Sequence, residues 1–481
     1  MNGTTNRTWS IYQQAIFRDV AEGTGNVLVL ARAGTGKTTT IVEALRHIPA
    51  GKTALLVAFN KSIATELEAR APQGVAVKTL HAFGFAALRN AFQTAMDTNK
   101  VERIARSLFG TNLPGAVLGN LTRLVSRAKS TLAETEADLD NIVDDLDLDV
   151  PDDERPLFVE RAADILGACY RDTRTCDFDD MIWLAVRHNV RVPTFDFVFV
   201  DETQDLNAAQ IELAFRAVKR GGRAFAVGDD RQAIYAFRGA DEHAVDRVTH
   251  KLNARVLPLS ITYRCGKAIV ALAQAIVPDY EAAPSAPDGL VRQVTDATMR
   301  TEATPGDFVI SRKNAPLIGL CLGFLAQGKP ATIAGRDIGA GLLALVNKSK
   351  ATTIPALLAF VDAWEKAEID RLTARKRDTQ VATDKAECIT ALTEGASTVA
   401  EVKARIEALF SDNDDSKRIV CTTTHKAKGL ERDRVWVLAD TFSTTSTEED
   451  NLWYVAITRA KTELCILGQR RTRRSDRPLA A

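Results

Sequence analysis

The chain has 481 residues, 46% hydrophobic and 26% charged, with 62 Lys plus Arg against 62 Asp plus Glu. That describes a soluble globular chain of roughly two to four domains and excludes a wholly basic, histone-like binder, so any nucleic-acid footprint must be local. The seven scattered cysteines include no C-x-x-C pair, which disfavours a disulfide framework, a zinc ribbon or a four-cysteine iron–sulfur cluster.

No apolar run approaches the roughly 18 residues of a membrane span, and the polar opening MNGTTNRTWS does not read as a signal peptide. The expectation is a cytoplasmic protein with no membrane contact. Val27–Ala31 is an apolar run ending in a Gly-rich turn, with helical spacing over Thr38–His47. Ala54–Phe59 is a second run, followed by a helix over Lys61–Arg70. Between about 90 and 175 the strand signal gives way to helical spacing over Val101–Phe109, Leu118–Leu132 and Pro156–Tyr170. The acidic run Asp138–Asp153 reads as a solvated loop. Phe197–Val200 and Ala224–Val227 are two more buried strands, each ending in acidic residues. Apolar strands alternating with helices indicate a parallel sheet covered on both faces, with ligands at the carboxyl ends of its strands.

A second alternating part begins near Val256, with strands at Phe308–Ser311, Thr332–Ala334, Ile419–Thr423 and Val435–Leu438. Helical spacing returns over Ile354–Arg377 and Val399–Phe410. The fold class is α/β, with two parallel-sheet lobes, each carrying a mostly helical inserted subdomain. The expected boundaries are 1–89 and 176–255 for the first lobe, 90–175 for its insertion, 256–340 and 415–481 for the second lobe, and 341–414 for its smaller insertion. The Arg-rich tail (Arg470, Arg471, Arg473, Arg474, Arg477) reads as a frayed end.

The segment from Ala31 to Thr38, ARAGTGKT, follows a strand and opens a helix, the context a P-loop needs, although its first position is Ala rather than Gly. Ala33, Gly34, Thr35, Gly36, Lys37, Thr38 and Thr39 would form the phosphate cradle, with backbone N–H groups turned inward and the helix N-terminus adding positive potential. Lys37 would neutralise the β/γ-phosphates of ATP, and Thr38 would ligate Mg²⁺. Asp201 and Glu202 end a buried strand: Asp201 would hold Mg²⁺ through water and Glu202 would act as general base toward the attacking water. Asn60-Lys61 is not the guanine-reading Asn-Lys-x-Asp, because Ile63 stands at the fourth position. In GDDRQAIYAFRGA the aromatics Tyr235 and Phe237 follow the acidic end of a strand within a few residues, and they are either stacking faces for single-stranded nucleic acid or core aromatics.

The ordered motifs ARAGTGKT, VAFNKS, TLHAFG, DFDDMI, VDETQD, GDDRQAIYAFRGA, ITYRC, THKAKGLE and YVAITRAK resemble the UvrD/Rep group of superfamily 1 helicases. They are near in wording to the compact F-box DNA helicase branch. The resemblance covers nearly the whole chain and implies two RecA-like lobes with ATP between them and single-stranded DNA across both. It implies that Gln13 contacts adenine, with Gln14 a rival, and that Gln232 senses the γ-phosphate. It implies further that Tyr263 stacks on adenine, Arg264 reaches the γ-phosphate, Glu431 approaches the ribose and Arg459 is an arginine finger. Arg238 would link the acidic motif to DNA. Phe59, Asn60 and His81 would contact DNA from the first lobe, and Thr424, His425 and Lys428 its phosphates from the second. Core packing remains open for Phe59, and a hydrogen-bonding structural role is favoured for His81. Arg312 and Asn314 resemble a further second-lobe motif, and Asp177 in DFDDMI reads as a helix N-cap.

The implied activity is an ATP-dependent, Mg²⁺-dependent DNA helicase moving 3′→5′ on single-stranded DNA and at ss/dsDNA junctions, with protein partners in repair or replication. The alternative is a DNA-stimulated ATPase motor that unwinds weakly alone. A non-enzymatic binding module is disfavoured, and an RNA substrate stays open because stacking and phosphate contacts do not read the 2′-hydroxyl.

Overall fold

A computed structural model describes residues 8–234 apart from 147 and 149, and residues 244–374, 379–411 and 416–471. The chain divides into two units, Met1–Ile261 and Thr262–Ala481.

In the first unit the strands are β1 (Val27–Ala31), β2 (Ala54–Ala58), β3 (Val75–Thr79), β4 (Ala95–Met96), β5 (Thr175–Cys176), β6 (Phe195–Val200), β7 (Val218–Gly228) and β8 (Arg255–Leu259). The helices are α1 (Ile11–Glu22), α2 (Lys37–Ala44), α3 (Lys61–Arg70), α4 (Leu80–Phe92), α5 (Lys100–Phe109), α6 (Gly115–Thr131), α7 (Glu136–Asp145), α8 (Arg155–Arg171), α9 (Asp180–Arg187), α10 (Ala208–Arg216) and α11 (Ala244–Leu252). Six strands form one parallel sheet in the order β3-β2-β6-β7-β1-β8. Alternation along each strand divides its side chains between two cores. Leu55, Val57, Val198 and Val200 face α4, α9, α10 and the helices α5–α8. Leu56, Phe197, Phe199 and Phe225 face α1 and α2. The helices α5–α8 thus share a continuous core with one face of the sheet. Pairing of β4 with β5 ties the two ends of that helical stretch together.

The second unit opens with the two-residue strands β9 (Ile261–Thr262) and β10 (Glu281–Ala282). Its main sheet comprises β11 (Leu290–Val294), β12 (Phe308–Ser311), β13 (Ala331–Ala334), β14 (Phe410–Ser411), β15 (Ile419–Thr423), β16 (Arg432–Leu438) and β17 (Ala460–Leu467). These seven strands are parallel in the order β11-β17-β16-β12-β15-β13-β14. Among its helices, α12 (Lys267–Ala273), α13 (Asp296–Glu302), α14 (Ala315–Ala326) and α15 (Arg336–Ser349) precede the helical stretch α16 (Ile354–Ala374), α17 (Gln380–Thr393) and α18 (Val399–Leu409). The short α19 (Thr424–Ala427) and α20 (Thr447–Ile457) follow. Two parallel sheets covered by helices make this an α/β fold with two RecA-like lobes, as expected from the sequence.

Two readings need correction. The acidic run is a loop only in its second half: Glu136–Asp145 is helical, started by a capping box in which Thr135 accepts from the Asp138 N–H while the Asp138 carboxylate accepts from Thr135. Acidic side chains in a first turn favour a helix, and Leu139, Ile142 and Val143 supply a buried stripe that the charge count concealed. Nor are all the tail arginines frayed. Arg470 pairs with Asp450 at 2.7 Å and lies over Trp453, and Arg471 bridges to Ser443. Arg473, Arg474 and Arg477 lie outside the described residues.

Candidate active site

The strand order positions the chemistry. In the first sheet β6, β7 and β1 are neighbours, and each ends in polar residues: Asp201 and Glu202 after β6, Asp229 after β7, and the Gly-rich turn after β1. That turn passes through Gly34 and Gly36 at φ 69° and 78°, values that favour residues without a Cβ. Gly36 then starts α2 at Lys37 with no side-chain cap, so the first-turn N–H groups point out of the helix end. Ala33 and Thr35 are buried beneath the turn, and the Thr35 hydroxyl donates to the Arg32 carbonyl at 2.8 Å. Thr38 and Thr39 are half-buried on the first turn of α2. The Thr38 hydroxyl makes no hydrogen bond among the described residues, while Arg70 donates to Thr39 at 3.5 Å.

Lys37 Nζ lies 2.9 Å from Glu202 Oε2. Burial alone would lower its pKa, but Glu202, Asp201 and Asp229 outweigh burial and hold the ammonium above its usual range. Burial, and then the charge of Glu202, pushes Asp201 up to about 7, with Lys37 opposing. Asp229 is also raised by burial, against Arg32 and Lys37. Glu202 has φ 50°, an uncommon left-handed backbone for a non-glycine residue. Gln232 donates to Asp229 Oδ2 at 2.7 Å, which brings the expected sensor to the same cluster.

Gln13 and Gln14 separate clearly. Gln13 is buried, donates to Thr40 on α2 at 2.9 Å, and its carbonyl oxygen accepts from the Ser10 N–H in a capping box. Gln14 is exposed and donates to the Trp9 carbonyl. Only Gln13 reaches the helix of the Gly-rich turn.

In the second unit Arg264, Glu431 and Arg459 converge at the amino-terminal edge of β16 and β17. Arg264 Nε lies 2.5 Å from Glu431 Oε2, and its Nη1 donates to the Thr458 carbonyl at 3.3 Å. Arg459 is 1% exposed. It donates to the carbonyls of Val455 (2.8 Å) and Leu430 (3.2 Å) and to the Thr458 hydroxyl (3.2 Å). Burial, with Arg264 next, pulls its guanidinium down to about 10. Tyr263, beside Arg264, is 46% exposed.

Among the described residues, the expected nucleic-acid residues follow strands at the carboxyl ends of the two main sheets. Phe59, directly after β2, is 46% exposed, so it is a surface ring and not a core one. Asn60 caps α3 by accepting from the Ile63 N–H at 2.9 Å. His81 makes no hydrogen bond among the described residues, contrary to the structural role favoured from sequence. Burial lowers its pKa, so the ring is neutral at pH 7. It lines one small cleft with Phe59 and Asp201. Thr424 is fully buried after β15 with its hydroxyl unpartnered. His425 and Lys428 are half-buried in and just beyond α19. Arg312 pairs with Glu449 at 2.9 Å, and Asn314 donates to Asp384 at 2.8 Å. Tyr235, Phe237 and Arg238 lie outside the described residues.

Asp177 accepts from the Asp180 N–H at 2.7 Å, as a cap would, but it also accepts from Lys129 at 2.6 Å. Sequence reasoning assigned no roles to Arg32, which contacts Asp229 and Asp230 at 3.2 and 2.6 Å, or to Gln204, which donates to Glu202 at 2.5 Å. Both sit inside motifs already singled out. Their convergence depends on the β6-β7-β1 adjacency, which spacing does not contain.

The family model of the UvrD/REP helicase N-terminal domain matches residues 13–253, and that of the UvrD-like helicase C-terminal domain matches residues 418–467. The chain is 28% identical to the ATP-dependent DNA helicase Rep of Escherichia coli over 53% of this chain and 41% of Rep. It is 26% identical to the ATP-dependent DNA helicase PcrA of Bacillus subtilis over 53% of this chain and 37% of PcrA. It is 24% identical to the F-box DNA helicase protein 1 of Schizosaccharomyces pombe over 92% of this chain and 55% of that protein. The chain therefore spans roughly two fifths to just over half of these relatives' lengths. With a family model matched across half of the chain and the Gly-rich turn, paired acids and Asp229–Gln232 contact at adjoining strand ends, the chain belongs to the UvrD/REP helicase family.

Proposed function

We propose that the protein is an ATP-dependent DNA helicase that moves 3′→5′ along single-stranded DNA and separates strands at ss/dsDNA junctions. The observation that carries the reading is the convergence of Lys37, Asp201, Glu202 and the Asp229–Gln232 pair at the ends of β1, β6 and β7. The backbone N–H groups from Gly34 to Thr39 and the Lys37 ammonium hold the phosphates of ATP. Gln13 meets the base edge and Tyr263 stacks on it, while Glu431 approaches the ribose. Glu202 accepts a proton from the attacking water and orients it, and Gln232 senses the γ-phosphate.

The Thr38 hydroxyl and the Asp201 carboxylate are hard oxygen donors that suit Mg²⁺, and a carboxyl group held near 7 gains from a cation beside it. Bound there, Mg²⁺ supplies charge neutralisation on the phosphate oxygens. Arg264 and Arg459 contribute the remaining positive charge, so hydrolysis depends on closure of the second lobe onto the first. Phe59, Asn60, His81, Tyr235, Phe237 and Arg238 on one lobe, with Thr424, His425 and Lys428 on the other, form a track of rings and phosphate contacts. Such a track binds without regard to sequence and weakens steeply with salt.

A strand-displacement assay with 3′- and 5′-overhang substrates, run beside ATPase measurements with and without single-stranded DNA, tests the reading. Unwinding from the 3′ overhang and DNA-stimulated hydrolysis are expected. Displacement from the 5′ overhang alone overturns the polarity. ATPase without strand separation favours a motor subunit that unwinds weakly by itself, in a repair, phage or defence complex.

A further inference from the structure

Gln204 lies one residue pair beyond the acids Asp201 and Glu202 and is 1% exposed. Its amide is fully engaged. Nε2 donates to Glu202 Oε2 at 2.5 Å and to Asp205 Oδ2 at 3.4 Å, and Oε1 accepts from the Asp229 N–H at 3.1 Å. The orientation has only one chemically sensible form, because the reverse would aim an oxygen at two carboxylates and an NH₂ at an N–H. Gly228 is fitted to it. A Cβ at that position would stand 2.7 Å from Gln204 Oε1, 3.3 Å from its N and 3.4 Å from Thr203 Cβ. The contact therefore spans two adjacent strands: at the end of β6 it grips the carboxylate of Glu202, and at the end of β7 it grips the peptide of Asp229. Asp229 in turn accepts from Gln232 at 2.7 Å and contacts Arg32 at 3.2 Å, so Gln232 and Glu202 are joined through Asp229 and Gln204.

We infer that Gln204 is a positioning residue that ties the orientation of Glu202 to the loop after β7, so that a shift of that loop on polynucleotide binding is felt at the general base. The inference rests on the function proposed above. The same loop runs on from Gln232 toward Tyr235 and Phe237, the expected stacking residues. A hydrogen bond that aims a reacting group acts on turnover rather than on nucleotide affinity, and groups that orient a reacting side chain typically contribute about 10- to 100-fold to activity.

The test is steady-state ATPase of the full chain with and without oligo(dT), together with equilibrium binding of a fluorescent ATP analogue, for wild type, Gln204→Ala, Gly228→Ala and the double variant. For Gln204→Ala the inference expects kcat with DNA to fall about 10- to 100-fold, KM and analogue affinity to stay within about threefold, and the ratio of stimulated to basal rate to collapse toward one. Gly228→Ala should resemble it, because the added methyl displaces the amide. The double variant should be no worse than Gln204→Ala, because removing the side chain relieves the methyl's nearest approach, the one at 2.7 Å.

Retention of the wild-type stimulation ratio in Gln204→Ala overturns the inference. So does a loss confined to KM, or additive losses in the double variant. A protein that is merely less well folded loses active sites but keeps the ratio, which also counts against it. Should Gln204→Ala fail to fold, Gly228→Ala decides alone: a full stimulation ratio in that variant overturns the inference. If the wild type itself shows no stimulation, the proposed function fails, while the basal kcat of Gln204→Ala still decides whether the amide positions Glu202.

Discussion

Replacing Lys129 by Met removes one of two buried ammonium groups that face the acids of the DFDD sequence. Lys129 is fully buried on α6, with Asp177 Oδ2 at 2.6 Å and Asp180 Oδ1 at 2.8 Å. The second approach is ionic only, since that oxygen has no hydrogen-bond partner. Asp180 also has Lys100 of α5 at 2.7 Å, and Asp179 accepts from Ser126 of α6 at 2.5 Å. Every acid of the DFDD sequence is thus engaged by the helices between β4 and β5. Deleting one partner of a buried ion pair costs about 3–5 kcal/mol, because the remaining charge is left without compensation. Asp180 keeps Lys100, which favours the lower end of that range. At roughly 2–4 °C per kcal/mol for a unit of this size, the first unit should melt on the order of 6–12 °C lower.

The pH dependence has a definite sign. Burial already holds the Asp180 carboxyl above its usual range while Lys129 opposes it, so removing Lys129 moves it further up. A carboxyl raised in the folded state opposes folding only where it must ionise, so the deficit should be largest near pH 8 and shrink toward pH 5. Adding Asp177→Asn should restore more than half of the loss, since a neutral amide does not need a cation. Calorimetry at both pH values, with hydrogen exchange followed on α6 and α9, checks this. A melting point within 1 °C of wild type, or a deficit indifferent to pH, would refute the reasoning.

Three further outcomes follow from the candidate site. Glu202→Gln should retain nucleotide binding while turnover falls about 10²- to 10⁴-fold, and hydrolysis at the wild-type rate would remove Glu202 from the role of base. Phe59→Ala should weaken single-stranded DNA binding by about 1–3 kcal/mol with little change in melting temperature, because its ring is nearly half exposed; a large stability loss with unaltered binding would make it a packing residue. Asp201→Asn should raise the melting point of the nucleotide-free protein at pH 8, with the gain shrinking toward pH 5. The carboxyl, raised to about 7, contributes stability when protonated and loses it as pH climbs through that value. A gain of equal size at both pH values would argue against that raised value.

Much of this was legible in the residues because the strong signals are local. The helix over Lys61–Arg70 starts at an Asn that caps it and ends in Arg, and the buried strands are unbroken apolar runs. The Gly-rich turn declares itself by two glycines and a Lys. What escaped was set by longer-range partners. The helix at Glu136–Asp145 hid behind its acidity because its three buried residues matter only once a core exists to receive them. DFDDMI passed for an ordinary helix start because both lysines that hold it lie roughly fifty to eighty residues earlier in the chain. Arg32 and Gln204 meet Asp229 only because β6, β7 and β1 are side by side.

The pairing of Lys37 with Glu202 carries a consequence for how phosphate enters such a site. The cluster includes the cations Arg32, Lys37 and Arg231 and the acids Asp201, Glu202, Asp229 and Asp230. Arg32 contacts Asp229 and Asp230, while Lys37 contacts Glu202. A phosphate that engages Lys37 must therefore compete with Glu202 for the same ammonium. Winning that competition frees the Glu202 carboxylate from its ion pair but not from Gln204, which still grips Oε2. With Glu202 in its proposed role, the base would then be unmasked and aimed in one event, and both would depend on the phosphate having arrived. A chain that kept Glu202 away from Lys37 would expose an oriented base to water at all times. One that lacked Gln204 would release the carboxylate without direction. On the proposed function, the proximity of all three groups at the ends of two strands would make phosphate binding, rather than chance encounter with water, the trigger for hydrolysis.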